Sequence, residues 1–222
     1  MRARSMTFAM SSAREKTIIL YFFAKIGKLK KEDEEEEAPM KIVTTEQWDE
    51  ALWRQAYRIY DESFPKEGRK PESIIRRMFD KRMCELHVAF DGETAAAMAL
   101  TGTMPRDRVL LIDYLAVAAA KRGRGVGREL LDYMCEWART AKKLDGIVIE
   151  IEADPTETNR RRSRFWERYG FTPADYVHRY IWVPEPYRAL SLPLRPDAAL
   201  PSDGESLFRI ITRFHEKAYR GR

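Results

Sequence analysis

Cysteine and histidine are scarce in this chain of 222 residues, with two of the first and three of the second. Cys84 and Cys135, with His87, His178 and His215, reproduce neither a metal-ligand spacing nor a disulfide framework. That argues against a zinc module or a disulfide-stapled secreted fold, and predicts two reduced packing thiols in a cytoplasmic protein that binds no metal. Long hydrophobic runs are missing as well. The longest, Thr17 to Ala24, is far short of the roughly 20 residues that cross a bilayer, so no membrane partner is expected. No serine occupies a nucleophile-elbow pattern, and no internal repeat is visible. The net charge of +5 is small in a chain that is 34% charged, which argues against nucleic acid as a partner.

What is present divides the chain into three parts. Residues 1–39 combine a basic start, the short apolar run and the acidic block Glu32 to Glu37. Like charges in a row repel one another and resist packing, so this part reads as a poorly ordered leader, or as the product of an upstream start on a domain that begins at Met40. Residues 40–190 carry regular patterns, and 191–222 read as an extension ending in a helix near 203–219. Lys41-Ile42-Val43 is the first strand. Thr44 or Thr45 is expected to cap a helix bearing Leu52, Ala56, Ile59 and Tyr60, and Pro71-Glu72-Ser73 opens a second. Asp91-Gly92 between two apolar runs marks a hairpin. A strand over 108–117, a helix over 125–143, a strand over 146–152, a helix from Asn159 to Tyr169 and a strand near 178–183 follow. The order predicts an α+β fold with a mixed, mostly antiparallel sheet.

The most informative stretch is Arg122-Gly123-Arg124-Gly125-Val126-Gly127, set between the strand that ends at Val117 and a helix. Glycines let a backbone approach a phosphate, and the first N–H groups of a helix point outward unpaired with the positive dipole end behind them. A dinucleotide site wants Gly-x-Gly-x-x-Gly close to a strand within a βαβ unit. Here the pattern is Gly-x-Gly-x-Gly behind an antiparallel hairpin. A P-loop would need a Lys-Ser/Thr that is absent.

Arg-x-x-Gly-x-Gly after Leu115-Ala116-Val117 resembles the acetyl-CoA pyrophosphate loop of the GNAT family of N-acetyltransferases. A second block, Asn159 through Trp166 to Tyr169-Gly170-Phe171, resembles the later helix of that family. The resemblance covers roughly 40–185. It implies a GNAT-like sheet in which the strands at 110–117 and 147–152 splay apart. It also implies that acetyl-CoA, as co-substrate, lies along Leu115, Ala116 and Val117, with its pyrophosphate on the N–H groups of residues 123–127. Arg122 and Arg124 would neutralise that charge. Asn159 would stand near the pantetheine, and Arg162 in the basic run 160–162 would reach the 3′-phosphate.

Acetyl transfer needs a group that removes a proton from the amine and donors for the developing oxyanion. A backbone N–H near Leu115 to Val117 would serve as donor. Asp113 is the first candidate base, placed by simple alternation on the face of Leu115 and Val117. Glu150 and Glu152 share a face of the next strand, and Glu152, near its end, is the second candidate. Many family members carry a tyrosine as acid where this chain has Trp166, whose indole N–H is only a donor. Tyr169, one helical turn away, and Tyr114 are the substitutes. The expectation is an N-acetyltransferase for a small-molecule or peptide amine, acting by direct attack in a ternary complex as a monomer or homodimer. A non-catalytic acyl-CoA sensor is the alternative. Residues 60–65, with Asp61 and Glu62, are expected to line the acceptor side and to suit a cationic amine.

Overall fold

Residues 40–181 and 183–220 are described by the structure, a computed structural model, and the expected leader over 1–39 lies outside them. The chain runs through β1 (Lys41–Thr45), α1 (Glu50–Ser63), α2 (Glu72–Asp80), β2 (Glu85–Asp91), β3 (Thr94–Met104) and β4 (Val109–Val117). It continues through α3 (Val126–Thr140), β5 (Gly146–Glu152), α4 (Glu157–Tyr169), β6 (Thr172–Arg179), β7 (Pro186–Pro193) and α5 (Gly204–Tyr219). Gly92, at a φ of +60°, turns the expected hairpin between β2 and β3.

Two expectations at the element level are corrected. Thr44 and Thr45 do not cap α1; they extend β1, opposite His87 and Leu86. Branched side chains suit a strand, and the cap falls to Asp49, whose carboxylate accepts from the N–H groups of Ala51 and Leu52. The strand expected near 178–183 overlaps only the end of β6, which stops at Arg179, and β7 follows it unannounced. Pro186 and Pro193 bound β7, and Arg188 and Ser191 interrupt its apolar pattern, which erases the usual strand signal.

The strands form one sheet in the order β1-β2-β3-β4-β5-β7-β6, antiparallel except between β4 and β5. Helices α1, α2 and α5 bury their apolar stripes on one face, around Trp53, Tyr60, Met78 and Phe214. Helix α3 covers the other face with Leu130, Met134 and Trp137, joined by Trp166 of α4. The helix expected at the end of the chain is thus built into the first of these cores. Phe214 lies so close over β3 that a Cβ on Gly102 would come within 2.1 Å of its ring. Among the described residues no helix is long and apolar enough to cross a membrane.

The parallel pairing of β4 with β5 is short, from Val109↔Gly146 to Ile112↔Ile149. Beyond it β4 stays bonded to β3 as far as Val117, and β5 to β7 as far as Glu152. The strands therefore part in the middle of the sheet. A bulge sits at the point of parting, because Thr101 pairs with Ile112 and Leu100 with Tyr114, leaving Asp113 as the extra residue. The bulge reverses the alternation. Val109 and Leu111 face the core under α1 and α5, and so do Tyr114 and Ala116, whereas Leu115 and Val117 pack toward α3. Asp113 is directed with Tyr114 toward Lys70, on the opposite face from Leu115 and Val117. Simple alternation had placed it with them.

Candidate active site

The floor of the opening is a chain of polar groups drawn from five parts of the sequence. Asp113 Oδ1 accepts from Lys70 Nζ at 2.7 Å, with the two side chains 3% and 5% exposed. Lys70 Nζ lies 3.3 Å from Nδ1 of His215 on α5. The other ring nitrogen, Nε2, is 2.7 Å from Glu150 Oε1 on β5, and Tyr180 donates to Glu150 Oε2 at 2.8 Å. An ammonium has no lone pair, so Nδ1 accepts from Lys70 and the ring proton sits on Nε2, where it is donated to Glu150. Asp113 and Glu150 are the first residues past the last β4–β5 pair. The cluster therefore spans the apex of the gap.

Its position is held by the segment between α1 and α2. The Lys70 backbone N–H donates to the hydroxyls of Tyr60 and Tyr114, at 2.8 and 3.1 Å, and Tyr114 donates to the carbonyl of Gly68 at 3.0 Å. Burial raises the phenol pKa values of Tyr114 and Tyr180, and the Asp113 and Glu150 carboxylates beside them push the same way. Both hydroxyls remain donors at neutral pH. One acceptor is left over. Asp113 Oδ2 is buried without a hydrogen-bond partner, one of two such side-chain atoms among the described residues.

The far end of the opening is the glycine-rich turn. Gly123 and Gly125 take φ values of +79° and +84°, and Gly125 caps α3 with no side-chain hydrogen bond. No acceptor among the described residues takes the N–H groups of residues 123–127. Gly127 brings the helix start close to β4, since a Cβ there would stand 3.1 Å from Val117 Cγ2. Arg122 donates from Nε to the Val117 carbonyl at 3.0 Å and faces Glu62 at 3.8 Å, so it braces the turn. Glu62 also accepts from the N–H of Ala119 at 2.8 Å. Arg124 and the intervening glycines are exposed. Unpaired N–H groups at a helix start, beside a cation and backed by the helix dipole, make an anion cradle.

The remaining candidates lie apart from the floor. Glu152 pairs with Arg162 at 3.6 Å near the outer end of β5, while Glu150 reaches the cluster. Asn159 donates to the carbonyl of Asp154 at 3.1 Å; the cap of α4 is Thr156. The Tyr169 hydroxyl is bonded to Asp132 of α3 and touches Cys135, which separates it from the Asp113 cluster. Burial and that carboxylate raise its pKa, which makes it a weak acid in this setting. Trp166 is buried against Phe165 and Phe171, with ring centroids 5.1 and 5.0 Å away.

The model of the acetyltransferase (GNAT) family matches residues 51–171. The chain belongs to this family. Solved GNAT structures share its fold at low identity. A GNAT-family protein from Bacteroides thetaiotaomicron is 22% identical with a TM-score of 0.59, over 78% of this chain and 94% of that one. Another from Desulfovibrio desulfuricans is 18% identical with a TM-score of 0.57, over 69% and 99%. The ribosomal-protein-S18-alanine N-acetyltransferase from Escherichia coli is 17% identical with a TM-score of 0.52, over 69% and 94%. No curated protein matches the chain. As a GNAT acetyltransferase it is an acyltransferase, and His215 reaches its cleft from beyond the segment that the family model covers.

Lys70 and His215 carried no signal in the sequence. Lys70 is 43 residues from Asp113 and 145 from His215, and none of these residues lies in a local motif. Only the fold assembles them.

Proposed function

We propose that this GNAT protein moves an acetyl group from acetyl-CoA to an amine by direct attack, with both molecules held in the opening between β4 and β5. One observation carries the reading. The unpaired edge of β4 joins an open N–H cradle at residues 123–127 to a buried carboxylate acceptor, Asp113 Oδ2, at the apex. The cradle fits a pyrophosphate, and the edge at Leu115 to Val117 fits an extended amide-bearing arm that pairs as a strand would.

Acetyl-CoA supplies a thioester, whose carbonyl carbon an amine attacks directly, with no acyl-enzyme between. Asp113 is the group proposed to take the amine proton, because it has a free lone pair in a site shielded from water. Glu152 and Tyr169 lie outside the cluster, and no step is assigned to them. Asp113 and Glu150 outnumber Lys70, which favours an acceptor that arrives as a cation, whether a small amine or a peptide N-terminus. Two measurements test this. Calorimetry of the purified protein should show acetyl-CoA binding, and its absence at about millimolar co-substrate, the weak end of affinities worth measuring, overturns the reading. Release of free CoA across a panel of amines, polyamines and peptides should then identify the acceptor. Binding without release for any of them would favour a sensor.

A further inference from the structure

The pairing of Lys70 with Asp113 leaves hydrogen-bonding capacity unfilled on each side, with the Tyr114 and Phe214 rings, 5.1 and 5.9 Å from Nζ, beside the ammonium in addition. Lys70 Nζ has three protons and two hydrogen-bond partners among the described residues, Asp113 and His215. Asp113 Oδ2 has none. A buried ammonium and a buried carboxylate are costly unless their hydrogen-bonding capacity is filled, so an unfilled pair calls for a reason, a catalytic role among them. Here the unused donor and the unused acceptor sit side by side at the bulge, where the open edge of β4 begins. A group that fills both must offer an acceptor atom and a donor atom close together.

We propose that Lys70 is a catalytic residue of the acetyl transfer. Its third N–H polarises the thioester carbonyl and then holds the oxyanion, while Asp113 Oδ2 takes the amine proton. This rests on the reading above and adds a full charge to whatever the β4 backbone supplies. An acceptor that arrives as a cation first releases one proton to solvent; the lone pair of the neutral amine then forms the N–C bond and the carbonyl π pair moves to oxygen. The surplus proton on nitrogen passes to Oδ2. The pair on oxygen then returns, the C–S bond breaks, and sulfur leaves with its electrons as the thiolate.

The charge arithmetic explains why a lysine belongs there. As Asp113 gains a proton it loses its charge, and in the same step the carbonyl oxygen becomes negative. Lys70 exchanges one anion for another within its own hydrogen-bonding reach. The net charge of the buried site barely changes, so little reorganisation is needed at the moment of reaction. His215 is a positioning residue in this scheme. Held by Glu150, it takes a second N–H of Lys70 and so aims the third.

The test needs no knowledge of the acceptor. Acetyl-CoA labelled with 13C at the carbonyl is bound to the full-length protein, and the carbonyl stretch is read by difference infrared spectroscopy. The expected result is a shift to lower frequency in the wild type that is lost in Lys70→Met. Because Lys70→Met strands a buried carboxylate and can unfold the chain, Lys70→Met/Asp113→Asn removes both charges and keeps the fold. The double variant should still bind acetyl-CoA, through the cradle at residues 123–127, and show the free carbonyl frequency. His215→Gln, which can still accept from Lys70 and donate to Glu150, should retain the shift, and His215→Leu should diminish it. A wild-type carbonyl bound without a shift, or a shift that persists in the double variant, overturns the role of Lys70 and leaves the acetyl-transfer reading standing. Failure of the wild type to bind acetyl-CoA overturns both.

Discussion

Gly125 and Asp113 are the two residues at which the site is most exposed to single substitutions, for opposite reasons. At Gly125 the backbone has a φ of +84° and open space around the position of a Cβ. A valine there is strained by about 1–2 kcal/mol and projects into the space in front of the unpaired N–H groups. Gly125→Val is expected to weaken acetyl-CoA binding by about tenfold or more in calorimetry while leaving the protein folded by circular dichroism. At Asp113 the change is chemical. Asp113→Asn keeps the shape and the hydrogen bond from Lys70 but removes the lone pair that takes the proton. Turnover should fall by about 10²–10⁴-fold with acetyl-CoA affinity nearly unchanged. Unchanged turnover would remove Asp113 as the base.

At the scale of elements, α5 determines whether the cleft has a floor. Phe214 and His215 are neighbours on this helix: one packs against Gly102 of β3, and the other reaches Lys70 and Glu150. Gly102→Ala pushes a methyl group into the Phe214 ring within a buried strand, an overpacking that costs about 1–3 kcal/mol. The urea midpoint should fall, and Gly102→Ala/Phe214→Leu should regain part of the loss, since the two changes share one contact. Additive losses would show that the helix does not depend on this contact. The elements also show what was legible. The glycine turn and the hairpin at Gly92 are local signals, readable because their conformation is set by consecutive residues. The bulge at Asp113 was not, because Leu110 to Val117 is apolar on both sides of it and alternation had no polar reference. Strand β7 was hidden by its prolines. The Lys70–Asp113–His215–Glu150 cluster was hidden by distance along the chain.

At the scale of the molecule, a second buried polar network ties the opposite side of the sheet together and makes stability depend on pH. His87 on β2 bonds Thr44 of β1 at 2.7 Å and Thr101 of β3 at 3.0 Å, and Thr44 bonds Tyr133 of α3 at 2.9 Å. Burial, aided by the nearby Lys142 charge, pulls the His87 pKa down to about 3, so the ring stays neutral in the folded protein. In the unfolded chain it takes up a proton near pH 6.5. Between these values the unfolded state binds the extra proton. Stability from this group is therefore complete above about pH 6.5 and falls as the pH drops toward about 3, at up to about 1.4 kcal/mol per pH unit. Glu85, bonded to Thr101, acts in the other direction: burial raises its pKa, so its protonated form favours the fold as the pH falls. The reading is thus a difference. The melting temperature of His87→Gln should fall less than that of the wild type between about pH 7 and about pH 4. Parallel curves would mean that His87 does not control the acid limb.

The bulge at Asp113 has a further consequence, for how this site is inherited. Strand β4 is two half-strands out of step by one residue: the first four residues follow one phase and those after Asp113 the other. Pairing Asp113 into the ladder at unchanged length would restore a single phase, turning Tyr114 and Ala116 under α3 and Leu115 and Val117 toward α5. Deleting Asp113 would instead leave all four on the layers they now serve. The two layers therefore need no residue at this point, and the extra one is free to place a carboxylate at the apex. That carboxylate is inherited as one residue more than the strand requires.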